Sequence, residues 1–359
     1  MNLTIQTLFT DSSIVNAVID RVQQLKLDTI YWKQYGSFME TKTRVFKTYL
    51  GTVTGVVAGS IIGKNDQKPI RERRNLGQGY GEIAYLGDKY QMDIDRLSDL
   101  QDLVDKFNAA KGTDQVTALN DIVQFITDDY RQVMLAPHKR MDIVVPELLM
   151  TGTATVHMAD NVDNIELLDI TLPFNKITPA TSDKTNFITY LQQKINSLKP
   201  QYGTYKKMIM SRATFVKNII GSSEFSSKYK MILGSAQFDL AGGLVTSEMA
   251  SQIFRGIGLP DIEVKDDYVQ DQSGANVQIY ADNHITLLPD DNILRMRHHK
   301  PYIVTDPVPG RTYSQSEGQM SICNFRDEEG RYMEYTAEWI PEFIAPNKIT
   351  TFDLTTMNA

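Results

Sequence analysis

A chain of 359 residues with 42% hydrophobic and 23% charged residues can bury a sizeable core, which excludes a disordered chain and leaves room for two or three domains or one extended architecture. The formal net charge of −7 argues against a dedicated nucleic-acid binder, and the single cysteine, Cys323, excludes both an intramolecular disulfide framework and a thiolate metal cluster. The opening MNLTIQTLFTDSSIVNAVIDR lacks a basic region and a long apolar run, so no signal peptide is expected; Val53 to Ile62 falls far short of the roughly 20 residues of a membrane span.

Within residues 1–30 the apolar positions fit a helix from about Ser13 to Gln24, with Asp11, Ser12 or Ser13 as its cap. No packing partner for it is evident, which fits an arm lying on something else. Residues 44–92 begin strand-like at Val45, Phe46, Thr48 and Tyr49, continue as GTVTGVVAGSIIG, turn basic in KNDQKPIRERRN and become glycine-rich in LGQGYGEIAYLG. So few large apolar residues suit a long two-stranded excursion better than a domain, and such a hairpin needs a neighbour to rest on. Ser98 and Gln101 match a capping box, with Leu100, Leu103, Val104 and Phe107 on one helical face and a stop at Lys111-Gly112-Thr113.

The next stretch, 117–150, carries the strongest periodic signal in the chain. Leu119, Ile122, Val123, Ile126, Tyr130, Val133, Met134, Met141, Val144, Val145, Leu148 and Leu149 repeat in steps of three and four, as one stripe on a helix. Such a helix is long beside a mean of about 11–12 residues. Pro137 and Pro146 lie inside it, and an internal proline removes a hydrogen bond and clashes one turn back, so a bent or segmented rod is expected. Thr151-Gly152 supplies the stop.

Residues 153–172 alternate as a hairpin turning near Asp160 to Asn164, and Pro173 to Pro179 is a connector. Residues 183–300 suggest a compact α/β unit. It has helices on Phe187 to Leu198, ending at Pro200, on Ala213 to Ile220 and on Ser247 to Arg255. Its strands fall at Met208 to Met210, Ile262 to Val264, Val277 to Tyr280 and Ile285 to Leu288. The last 60 residues are extended and turn-rich, with strand candidates Tyr332 to Trp339 and Lys348 to Leu354 separated by Pro341 and Pro346.

The chemistry-bearing residues point away from catalysis. Gly77-x-Gly79-x-Gly81 has the wrong spacing for a dinucleotide site and no helix directly after it. His298 and His299 are adjacent, so on a strand they face opposite sides and cannot chelate together, while His138, His157 and His284 are scattered. Asp261, Glu263, Asp266, Asp267 and Asp271 lack the calcium-loop pattern and fit a solvated face. Cys323 fits a small buried side chain better than a nucleophile. No hydrolase elbow, phosphate loop, zinc-protease or kinase signature is present, and neither a cofactor nor a metal site is expected. Lys64, Lys68, Arg71, Glu72, Arg73 and Arg74 mix their signs, which suits salt bridges across a subunit interface better than phosphate contact.

The order of parts — arm, glycine-rich hairpin, short helix, long helix ending in Thr-Gly, hairpin, compact α/β insert, extended return — resembles the major capsid proteins of tailed phages. The likeness is to the Hong Kong 97 fold and most closely to the lambda-type capsid protein E family. Pro146-Glu147-Leu148-Leu149-Met150-Thr151-Gly152-Thr153 looks like that family's helix end, Ile285 to Leu294 like its late turn, with Asn292 a departure, and Gly256 to Tyr268 like the strand before it. The resemblance implies an α+β fold of the Hong Kong 97 type: an N-terminal arm (1–43), an E-loop (44–92) lying on a neighbouring subunit, and a peripheral domain (93–182) with the spine helix. An axial domain (183–300) and a C-terminal return to the peripheral domain (301–359) complete it.

The resemblance further implies a non-enzymatic subunit of the virion capsid, assembled in the host cytoplasm into hexamers and pentamers around double-stranded DNA. Its partners would be copies of itself, scaffold, portal and decoration proteins; DNA contact would be weak and sequence-blind, and no membrane would be involved. Pro137 and Pro146 would let the spine bend as shells mature. Some members of the wider fold cross-link through a lysine and an asparagine; Lys64 and Lys68 lie in the right loop, but no asparagine partner is placed, and no cross-link is expected. The alternatives are an encapsulin-like compartment and a cytosolic two-domain enzyme with its site in residues 183–300.

Overall fold

The computed structural model describes residues 3–24, 29–50, 77–156, 167–227, 245–271, 274–316, 319–328 and 330–359. It is built around one helix, α4 (Thr113–Thr151), of 39 residues and so about 58 Å long at 1.5 Å per residue. The apolar stripe becomes its buried face: Ile122, Ile126, Tyr130, Val133, Met141, Val145, Leu148 and Leu149 are all in the core. The helix runs unbroken through Pro137 and Pro146 rather than dividing into segments, and both proline rings are buried. Each proline costs about 3 kcal/mol in an isolated helix. Burying the neighbouring Val133, Met134, Val145 and Leu149 side chains, at about 1.5–3 kcal/mol each, exceeds that cost. Gly152 closes the helix in the left-handed region at φ 70°, its N–H donating to Leu148 O at 2.8 Å.

Before the first strand the described residues form α1 (Ile5–Thr10), α2 (Ser12–Gln24) and a 3-10 turn, Trp32–Gln34. Their Leu8, Phe9, Val15, Val18 and Ile19 lie in the same core as α4. The N-terminal segment therefore packs on its own chain, where the sequence shows no partner for it, because its partners are far away in sequence. Strand β1 (Gly36–Glu40) follows. The glycine-rich excursion starts as β2 (Val45–Leu50) and returns as β3 (Gly77–Glu82), paired antiparallel from Val45↔Glu82 to Leu50↔Gly77. Strand β4 (Ala84–Met92), also read from sequence as excursion, instead pairs with a long C-terminal strand. Helix α3 (Ile94–Ala109) starts one turn earlier than the Ser98 box, because the Asp93 carboxylate accepts from Arg96 N at 2.8 Å and caps it.

After α4, the hairpin expected over 153–172 is present as β5 (Thr153–Val156) against β6 (Leu167–Thr171); its expected turn lies outside the described residues. There follow β7 (Asn175–Ile177), α5 (Phe187–Tyr202) and β8 (Lys207–Ser211). Helix α5 continues past Pro200 to Gly203, which takes φ 88°. The helix expected over 213–220 is a short α-turn, Arg212–Thr214, running into a π-helical turn, Phe215–Ile220. Next come α6 (Ser247–Gly256), β9 (Asp261–Lys265), the hairpin β10 (Tyr268–Gln270) and β11 (Asn276–Gln278), β12 (His284–Leu288) and β13 (Leu294–His299). The C-terminal part holds β14 (Thr312–Ser316), β15 (Met320–Arg326), β16 (Arg331–Phe343) and β17 (Thr350–Asp353).

These strands form two main sheets. The larger runs β1-β13-β16-β15-β14, with β4 on the other side of β16. The smaller runs β7-β17-β12-β8-β9. The larger sheet shares a core with α1 to α4, and the smaller one packs with α5, α6 and Phe215 to Ile220. The chain crosses between them more often than consecutive segments suggest. β13 closes the insert region but pairs with the larger sheet, and β17 pairs with β7 and β12 in the smaller one. Strand β16 also continues through Pro341. Beyond Ala84↔Trp339 it has β13 alone as a strand neighbour among the described residues, so the missing proline N–H costs at most one ladder bond there.

Candidate assembly surfaces

The charged residues Lys64, Lys68, Arg71, Glu72, Arg73 and Arg74 lie outside the described residues. What is described is the attachment of their hairpin. Arg44, just before β2, gives Nε and Nη2 to the two oxygens of Glu338 on β16, at 3.0 and 2.6 Å. Glu338 is buried, and it also bonds His299 Nδ1 at 2.8 Å. Ile83 N donates to Arg44 O at 3.0 Å and closes the base. A two-pronged guanidinium–carboxylate contact fixes direction as well as distance, so the hairpin leaves the larger sheet along a set line. His298 turns the other way, its ring edge-on to Phe38 at 5.5 Å. The two adjacent histidines thus diverge as strand geometry requires.

A second cluster binds the residues after α2 to the middle of α4. Trp32 and Trp339 are fully buried. Phe38 sits 4.9 Å from Trp32 and 4.8 Å from Trp339, and the His138 ring is 4.8 Å from Trp339. Trp32 Nε1 donates to His138 Nδ1 at 3.3 Å, so that nitrogen carries no proton. Burial, with Lys33 and Lys139 nearby, pushes the imidazole pKa down to about 3, and the ring is neutral. One turn on, Asp142 Oδ1 accepts the Trp32 backbone N–H at 2.9 Å. Burial pushes that carboxyl up to about 6. Pro137 and Pro146 bracket this polar anchor, so the two expected bend points flank a buried attachment of α4 to the segment after α2.

The two sheets are joined at the C-terminal end of α4. Thr286 Oγ1 on β12 donates to Leu149 O at 2.7 Å, and Tyr280 bonds Thr286. Lys265 on β9 reaches Gln34 Oε1 and Glu263 Oε1, both at 2.5 Å. Lys207 joins Glu263 at 2.9 Å and Asp291 at 2.7 Å. The acidic run expected to be a solvated face is therefore largely ion-paired, with Arg255 on Asp261 and Arg212 3.8 Å from Asp266. Sequence reasoning missed this network because its lysines lie on β8 and β9, and spacing along the chain does not reveal a parallel register.

Cys323 is buried, as its sequence context suggests, and burial pushes its thiol up to about 11, so it is not a thiolate nucleophile. Among the described residues no group of histidine, cysteine and carboxylate side chains could hold a metal, and no helix is long and apolar enough to cross a membrane. The outer surface carries isolated apolar side chains, including Ile94, Tyr85, Tyr268 and Tyr302. Strand β4 has a single strand neighbour, β16, among the described residues, and Tyr85, Gly87, Asp88 and Lys89 lie exposed along it.

No family model matches the sequence, and no curated protein matches it. The fold does match solved structures along its full length. One is a prophage protein of Escherichia coli CFT073 named as a capsid protein, with TM-score 0.56 and 14% identity, covering 97% of this chain and 99% of that one. Another is a phage-related protein from Bordetella bronchiseptica RB50, with TM-score 0.50 and 10% identity, covering 96% and 98%. The α+β architecture is thus shared end to end with phage proteins, in agreement with the Hong Kong 97-type fold that the order of segments resembles.

Proposed function

We propose that this chain is the major capsid protein of a tailed phage and that it self-assembles into the icosahedral head around double-stranded DNA. The observation that carries the reading is the match to a protein named as a prophage capsid protein over 97% of this chain and 99% of that one. A subunit whose work is assembly needs surfaces for copies of itself, and an anchored excursion supplies one. In this reading residues 44–82 reach from the Arg44–Glu338 anchor onto a neighbouring subunit. There Lys64, Lys68, Arg71, Glu72, Arg73 and Arg74 form ion pairs across the interface. The larger sheet with α4 is the peripheral domain, and the smaller sheet is the axial domain of hexamers and pentamers. Scaffold, portal and decoration proteins bind the outside or the nascent shell, which forms in the host cytoplasm. The net charge of −7 keeps contact with packaged DNA weak.

Sedimentation of the expressed full-length chain tests this reading. Megadalton species made of the 40.7 kDa chain are expected. A chain that remains monomeric at high concentration, in physiological salt and with added crowding agent, would overturn the proposal.

A further inference from the structure

A cavity of about 200 Å³ opens between α1, α3, α4 and strands β4, β15 and β16. Its floor is Arg331, only 6% exposed. The guanidinium carbon lies 4.7 Å from the Phe9 ring centroid, with Tyr130 nearby and no ion pair to a carboxylate among the described residues. Directly opposite it in the β15–β16 register stands a second arginine, Arg326. Like charges placed directly across a strand pair repel, and a buried unpaired charge is costly to keep. Beside Arg331 is Asn324, whose Nδ2 donates to Tyr130 OH at 2.8 Å while its buried Oδ1 receives no donor. At the mouth Arg96 spends Nε and Nη2 on Asp129, at 3.3 and 2.6 Å. The charged side chains lining the cavity are thus two arginines and one aspartate.

We propose that this cavity binds one small tetrahedral oxyanion, with inorganic phosphate as its type. The planar fork of Arg331 would hold two oxygens of the ion side by side. Hydrogen phosphate also carries a P–OH, the donor that Asn324 Oδ1 lacks; acetate and sulfate carry none at neutral pH. The ion would neutralise the Arg326–Arg331 pair and lock α1 and α4 to the hairpin end of β15–β16. This site is separate from the surfaces invoked for assembly, and its test does not depend on shell formation.

The experiment is calorimetric titration of the full-length chain, in phosphate-free buffer, with inorganic phosphate, sulfate and acetate in turn. One phosphate per chain is expected, with sulfate and acetate weaker. Arg331→Met should weaken phosphate roughly 10- to 100-fold, the loss of one charge-assisted contact of about 1.5–3 kcal/mol. Asp129→Asn removes the one carboxylate at the mouth and should tighten phosphate several-fold, a gain that a failure of folding cannot mimic. No saturable phosphate binding, acetate binding as tightly as phosphate, an unchanged affinity in Arg331→Met or a weaker one in Asp129→Asn would each overturn the proposal.

Discussion

Asp142→Asn should stabilise the chain above neutral pH although it alters a fully buried, hydrogen-bonded carboxylate. Burial holds the folded-state pKa at about 6 against an ordinary 3.8, so the neutral acid is the form that the fold prefers. The wild type therefore carries no penalty below about pH 4 and loses stability as pH rises through about 6, where the group ionises in the folded state. At 1.36 kcal/mol per pH unit, the gap between 3.8 and about 6 amounts to on the order of 3 kcal/mol above pH 7. Asparagine keeps an acceptor for the Trp32 N–H but brings an amide donor to the position of Oδ2, which lies 3.8 Å from Lys139 Nζ. An unsatisfied donor there costs about 1 kcal/mol, leaving a net gain of about 2 kcal/mol at pH 8. Urea unfolding followed by tryptophan fluorescence suits the measurement, because the chain has two tryptophans, Trp32 and Trp339, and both lie in this cluster. The gain should vanish at pH 4.5. A variant less stable than wild type at pH 8, by a margin independent of pH, would refute the reasoning.

Leu148→Ala opens a cavity under the C-terminal end of α4, where Leu148 is fully buried, and should cost about 2–5 kcal/mol in the same unfolding assay. Reversing the loop charges in Arg71→Glu with Arg73→Glu should leave subunit stability within about 0.5 kcal/mol, since in the proposed role these charges act between subunits rather than within one. The same variant should abolish shells in sedimentation, and assembly at the wild-type level would remove the interface role. Replacing both Pro137 and Pro146 by alanine restores backbone donors toward the carbonyls of Val133 and Asp142. The variant should still assemble, but it should slow the conversion of immature to mature shells severalfold in time-resolved scattering. An unchanged rate would separate the prolines from any bending.

The long helix and the helices of the insert are legible because their apolar side chains repeat with a single period over one buried face, and the strands at 207–211 and 284–288 because they are short continuous apolar runs, buried at four consecutive positions. Strands β1, β13 and β14 were missed for a physical reason. They read GSFME, LRMRHH and TYSQS, each with at most two large aliphatic or aromatic side chains, and they become strands by pairing across the larger sheet. The N-terminal helix was placed correctly but its partners were not, since Phe9 and Val18 meet α4 and β15 across more than a hundred residues. The anchors were invisible for the same reason. Arg44 with Glu338, and Trp32 with His138 and Asp142, are ordinary residues in sequence and gain meaning only where the sheet and α4 bring them together. The charged loop stands out by its mixed signs alone, and its residues lie outside the described ones.

Electron cryomicroscopy of particles assembled from the full-length chain tests the central claim most directly. The account predicts closed shells of hexamers and pentamers, with residues 44–82 of each subunit leaving the Arg44–Glu338 anchor to lie across an adjacent copy. Particles in which that hairpin folds back on its own subunit, or a preparation holding single chains alone, would contradict it.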